Sequence, residues 1–203
     1  MTENLEKTID LVRMAKNGDF QAMNKLFTRY QDRIYRIARI RLGSELRAKL
    51  ETVDIGQEVM IKAMNSLRDF EMKSDGDFIH WISKLIENTI RDKSDYFHAE
   101  KRSVREEIPL ENVRKSTESI TQGFTFPGKD PTPSNILRNE EETSCLEEAM
   151  LKLDNEDREI ILFCDYEELS YVQAGKKLGK SPDAIRMAHK RALAKLTSLL
   201  EQK

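Results

Sequence analysis

Apolar residues recur every three to four positions along most of this chain, and the two-residue alternation that marks a strand is hardly seen. From about Asn4 to Arg102 the helical period is continuous. Within that block Ile55, Val59, Ala63 and Leu67 form one stripe over Val53 to Leu67, and Phe78, Ile82, Leu85, Ile86 and Thr89 form another after Asp77. The pattern dissolves between Ser103 and about Glu140, where Pro109, Gly123, Pro127, Gly128, Pro131 and Pro133 interrupt any period. It resumes at Glu141, with Leu146, Met150 and Leu153, then Ile160, Ile161 and Phe163. The prediction is an all-α fold of two helical domains, residues 1–102 and 141–203, joined by a long linker, 103–140. As a random coil such a linker spans roughly 35 Å, so the two blocks can sit well apart, and a free linker can equally let them close on one another.

The last periodic stretch, Leu169 to Leu196, reads as a helix-turn-helix. Gly179 suits the left-handed residue that ends a helix, Ser181 can cap the next one, and Pro182 fits that helix's first position. Beyond the turn Ile185, Ala188, Ala192, Leu196 and Leu199 keep helical spacing, which leaves Asp183, Arg186, Met187, Lys190, Arg191 and Lys195 toward solvent. A mostly basic outer face on the second helix is what insertion into a DNA major groove needs.

Charge sharpens this reading. The formal net charge of −2 over 203 residues seems unfavourable for nucleic acid. It is unevenly spread, however: Glu147 to Glu168 is strongly acidic and Lys176 to Lys195 strongly basic, so a local patch hides behind the total. With 34% charged and 38% apolar residues the chain looks soluble and globular. Cys145 and Cys164, the only cysteines, lack the spacing of a zinc site or a disulfide framework and read as buried or bystander thiols. His80 and His98 have no partner spacing for a metal and read as surface residues, whereas His189, one turn from Ile185, reads as a boundary packing residue. The amino-terminal segment has no apolar core of a signal peptide and no stretch is long enough to span a bilayer, so no membrane insertion and a cytoplasmic location are expected. There is no nucleophile motif, phosphate-binding glycine loop or metal constellation, which argues against an enzyme and leaves no cofactor to expect.

Two helices of the first block offer further surfaces. Asp54, Gln57, Glu58 and Lys62 share a polar face at spacings of three and four, suited to docking on a partner. Lys84, Asn88, Arg91 and Tyr96 lie along one side of the following helix, where cations and a ring can hold a melted strand.

In order along the chain, Asp54-Ile55-Gly56-Gln57-Glu58, Phe78 to Asn88 with Trp81, and Leu169-Ser170-Tyr171 resemble regions 2.2, 2.3 and 4.2 of the extracytoplasmic-function (ECF) group of bacterial sigma-70 family RNA polymerase sigma factors. The strings KSPDAIRMAHKRALAKL and RDKSDYFHAEKRSVREE are similar to a subgroup of it. Gln173-Ala174-Gly175 departs from the family's usual E-I-A, and a helical glycine suggests a loosely packed first helix of the motif. The resemblance implies a sigma-2 domain, a linker and a sigma-4 domain, with no catalytic residue. Asp54, Gln57, Glu58 and Lys62 would dock on the clamp helices of the core polymerase β′ subunit, and the β flap would be a further contact. Lys73, Ser74, Lys84, Asn88 and Arg91 would capture the melted minus-10 strand. Ser181, Arg186, Met187, Lys190, Arg191 and Lys195 would meet the minus-35 duplex. Promoter DNA and an anti-sigma factor are the other partners implied. The rival reading is a stand-alone helix-turn-helix regulator whose first block is a sensor or dimerisation domain.

Overall fold

A computed structural model describes residues 7–47, 49–72, 75–102 and 145–201, and among them every regular element is helical. The first unit comprises α1 (Thr8–Lys16), α2 (Phe20–Arg47, broken at Gly43), α3 (Thr52–Ser66) with a 3₁₀ turn at Leu67–Asp69, and α4 (Asp75–Arg102). The second comprises α5 (residues 145–152), α6 (Asn155–Ile161) running into a π-helical turn at Leu162–Tyr166, α7 (Tyr171–Leu178) and α8 (Pro182–Glu201). The linker expected at 103–140 lies outside the described residues.

The predicted stripes are the observed core. Ile55, Val59, Ala63 and Leu67 from α3 and its 3₁₀ turn meet Phe78, Ile82 and Ile86 from α4 and Leu26, Ile34 and Ile37 from α2, all buried. Leu85, expected inside, is half-buried against this cluster. Phe78 is the hub: its ring lies 4.9 Å from that of Tyr30 and 5.9–6.2 Å from those of Trp81, Phe70 and Phe27. Trp81 stacks on Phe70 at 4.5 Å, a packing role that leaves it half-buried. Gly56, inside the proposed docking motif, has a packing reason of its own. A Cβ there would come within 2.1 Å of the Tyr35 ring, so glycine lets α3 close on α2.

In the second unit Ile160, Phe163, Leu169, Ala174, Ile185 and Ala188 form one cluster. Another, Met150, Leu153, Ile161, Leu162, Ala192 and Leu196, also contains Ile40 of α2. Of the two arrangements that a long linker permits, the structure has the closed one: the second unit packs directly on α2 and α4. Linker length bounds how far the units can separate, but complementary surfaces decide whether they do.

Phe78→Ala should destabilise the first unit by about 3–5 kcal/mol, because the aromatic cluster cannot collapse around so large a loss. The check is a lowered urea midpoint followed by the fluorescence of Trp81, the chain's single tryptophan.

Candidate DNA-binding and docking surfaces

The turn of the helix-turn-helix forms as its residues dictate. Gly179 takes the left-handed conformation at φ 65°, ψ 31°, and the Ser181 hydroxyl accepts from the Ala184 amide at 3.2 Å as α8 opens on Pro182. α7 starts with a capping box, Ser170 and Gln173 satisfying each other's backbone donors. The sequence reading missed this, although Ser170-x-x-Gln173 is its signature.

Gly175 corrects an expectation. α7 is not loosely packed, because a Cβ at Gly175 would lie 2.5 Å from the Lys180 carbonyl oxygen. The missing methyl is what lets the turn fold back on the helix.

On α8, Ile185, Ala188, Ala192 and Leu196 are buried, and Ser181, Arg186, Met187, Lys190 and Arg191 are exposed along the opposite side. Arg186 is only loosely tied, to Asp183 at 3.5 Å. Lys195 is different: its ammonium is held by Asp157 and by Asp154 at 3.1 Å, and these hydrogen bonds raise its pKa. His189 is buried as expected, and it also has polar partners, Asp165 Oδ2 at 2.6 Å and the Tyr171 hydroxyl at 3.2 Å. It fixes α8 to the π turn and to α7.

On α3, Asp54 is exposed and Gln57 half-buried. Glu58 lies 2.9 Å from Lys62 and 2.8 Å from Lys93 of α4, and Lys62 also donates to Thr89 at 3.0 Å. Burial alone would raise the Glu58 pKa; hydrogen bonds from Lys93 and Lys62 outweigh it and hold the carboxyl low. Half of the predicted docking face thus ties α3 to α4, and Asp54 and Gln57 are left facing outward.

On α4, Lys84, Asn88 and Arg91 are exposed at helical spacing, with Arg91 donating to Asn88 at 2.8 Å. Tyr96 is 56% exposed. Lys73 and Ser74 lie outside the described residues. His80 corrects the surface reading: it is half-buried, with Nδ1 3.1 Å from Glu167 Oε2. The acidic run ending at Glu168 is solvated only in part: Glu148, Asp154, Glu156, Asp165 and Glu168 are exposed, whereas Glu147, Asp157 and Glu167 are buried. Arg41 Nη2 meets fully buried Glu167 at 2.6 Å and Glu87 at 3.0 Å, and its Nη1 meets Glu159 at 3.2 Å. Among the described residues no group of three or more His, Cys, Asp or Glu is placed to hold a metal ion. Cys145 and Cys164 are half-buried free thiols, and burial, then Asp165, pushes Cys164 up to about 11.

Comparison with known proteins accounts for two helical units, one of them a helix-turn-helix. A family model described as Sigma-70 region 2 matches residues 26–102, and one described as Sigma-70, region 4 matches residues 143–196. The ECF RNA polymerase sigma factor SigE of Mycolicibacterium smegmatis is 26% identical over 172 residues, which cover 83% of this chain and 59% of that protein. The RNA polymerase sigma factor NccH of Alcaligenes xylosoxydans xylosoxydans is 29% identical over 191 residues, covering 94% and 93%. The solved structure of CnrH in complex with the cytosolic domain of CnrY superposes with a TM-score of 0.53 at 20% identity, over 97% of this chain and 98% of that one, which shows a shared fold. The protein is a member of the sigma-70 family. Within that family it belongs to the ECF group.

Gly175→Ala provides a test of the tight turn. Intrinsic propensity alone would stabilise α7 by about 1 kcal/mol. The close approach should reverse the sign and cost about 1–3 kcal/mol, seen as a lower thermal midpoint by circular dichroism; a raised midpoint would disprove the contact.

Proposed function

We propose that this chain binds bacterial core RNA polymerase and directs it to promoters, reading the minus-35 element as duplex and the minus-10 element as melted strand. One observation carries the reading most directly: a capped recognition helix presents Ser181, Arg186, Met187, Lys190 and Arg191 on one exposed side while its other side is fixed in the core. Planar guanidinium groups and an ammonium at that spacing suit base edges and phosphates. Lys195, held by two aspartates, would have to exchange them for phosphate.

Residues 1–102 form the polymerase-docking and minus-10 unit in this reading, 103–140 the linker and 141–203 the minus-35 unit. Docking on the β′ clamp helices falls to Asp54 and Gln57, with Glu58 and Lys62 shaping the surface, and the β flap is a second polymerase contact. Lys84, Asn88 and Arg91, together with Lys73 and Ser74, hold the melted strand, whose unstacking costs a few kcal/mol that strand contacts must offset. The protein contributes recognition and no bond-making chemistry of its own, and it works in the cytoplasm. No described helix is long and apolar enough to cross a membrane. An anti-sigma factor is a partner in keeping with the solved CnrH complex with CnrY.

The primary test is transcription by purified core polymerase on a random-promoter library with and without the protein. Protein-dependent starts that share two spaced elements are expected, and their absence with folded protein would refute the reading. Arg186→Ala with Lys190→Ala should spare polymerase binding and cut promoter use by roughly 10-fold or more, since each good base contact is worth about 1–3 kcal/mol. Asp54→Ala with Gln57→Ala should weaken polymerase binding and leave the second unit folded; unchanged affinity, measured by fluorescence anisotropy, would remove the docking assignment.

A further inference from the structure

The outward face of α8 is not uniformly basic, and the order of residues around the helix decides which of them can reach a base. At about 100° per residue, Ile185, Ala188, Ala192 and Leu196 cluster on the buried side. Asp183 and Met187 stand roughly opposite them, one turn apart. Cations flank that line: Arg186 and Lys190 lie to one side of Met187, and Arg191 about 40° to the other. Lys195 is drawn back to Asp154 and Asp157, while Leu193, Ala194, Thr197 and Ser198 are exposed and uncharged. The positive part of the face is thus confined to about the first three turns of the helix.

Asp183 and Met187, at the centre of this part, are both unsuited to phosphate. The Asp183 carboxylate repels it; its side chain is 90% exposed and is tied only loosely to Arg186, at 3.5 Å. Met187 carries no charge and no hydrogen to donate. It is 50% exposed and belongs to none of the apolar clusters formed by the described residues, so packing within the chain does not account for it.

A helix lying in the major groove turns its central line to the base edges and its flanks to the sugar-phosphate backbones. On that placement Arg186, Lys190 and Arg191 meet phosphates or flanking bases, and Met187 meets the groove floor. Most groups on that floor are hydrogen-bonding nitrogens and oxygens, which a thioether would strip of water without replacing it. Thymine alone adds a methyl group there.

We infer that Met187 is a specificity-determining residue that reads one thymine of the minus-35 duplex through its 5-methyl group, while Arg186, Lys190 and Arg191 supply the charge that holds α8 in the groove. The unbranched, polarizable side chain can follow the methyl as the duplex adjusts. The inference rests on the duplex-reading role proposed for α8 and adds to it the identity of one base.

Its test uses the full-length protein assembled with core polymerase, which first selects preferred duplexes from a randomised double-stranded pool. In the selected duplex each thymine is replaced singly by deoxyuridine, a change that removes the methyl and leaves every hydrogen-bonding atom in place. Affinity is measured by fluorescence anisotropy for wild type, Met187→Ala and Met187→Leu, with circular dichroism establishing that each is folded. One thymine is expected whose replacement weakens wild-type binding by about 3- to 10-fold, roughly the worth of one buried methyl group. Met187→Ala should bind the thymine duplex more weakly by a similar factor and lose its response to replacement at that position. Met187→Leu, which keeps an apolar tip, should retain part of the response, and responses at other thymines should stay as in wild type. The inference is overturned if no thymine shows a methyl response in wild type, or if Met187→Ala responds as wild type does at every thymine, since Met187 would then serve a protein contact or the helix itself. A pool that enriches no duplex would instead remove the promoter reading, and this inference with it, so the two failures are read apart.

Discussion

A carboxylate cut off from water has to find its charge and hydrogen-bond partners within the protein, and Glu167 is completely buried. Its partners come from three helices: Arg41 from α2, His80 and Ser83 from α4, and Lys177 from α7 at 3.8 Å. That requirement ties the two halves of the chain together. Removing one partner of a buried ion pair generally costs about 3–5 kcal/mol, whereas the intact pair contributes little net stability. The node therefore specifies how the units meet more than it strengthens them.

The π turn at Leu162–Tyr166 makes this geometry possible. Widening the helix by one residue per turn carries Tyr166 and Glu167 toward α2, and the Leu169 amide closes back onto the Phe163 carbonyl at 2.8 Å. His189 then anchors Asp165 to the recognition helix. One short segment thus links the helix-turn-helix, whose outer side carries the candidate DNA contacts, to the arginines of α2. The exposed Arg186 to Arg191 side and the buried Glu167 node are two ends of the same packed unit.

Helical periodicity alone was enough to read most of the interior. α3 and α4 bury Val59, Ala63, Phe78 and Ile82 because apolar residues at that spacing have one face to hide. The turn at Gly179, Ser181 and Pro182 was legible for a similar reason: each residue type has a local backbone preference that needs no distant partner. The capping box at Ser170 and Gln173 is equally local, since Ser-x-x-Gln satisfies its own backbone donors within one turn.

What the sequence determined by itself, then, were the elements, their buried faces, the recognition helix and the ordered motifs that place the chain in its family, all properties of residues within a turn or two of one another. Tertiary structure alone decided which acids meet which arginines, why Gly56 must lack a side chain, and that His80 serves a buried carboxylate. Those facts depend on atoms brought together across as many as 135 positions of chain, as in Arg33 with Glu168. Periodicity carries no information at that separation. Charge composition announces that an acidic run and a basic run exist, but only packing fixes the distance at which they pair.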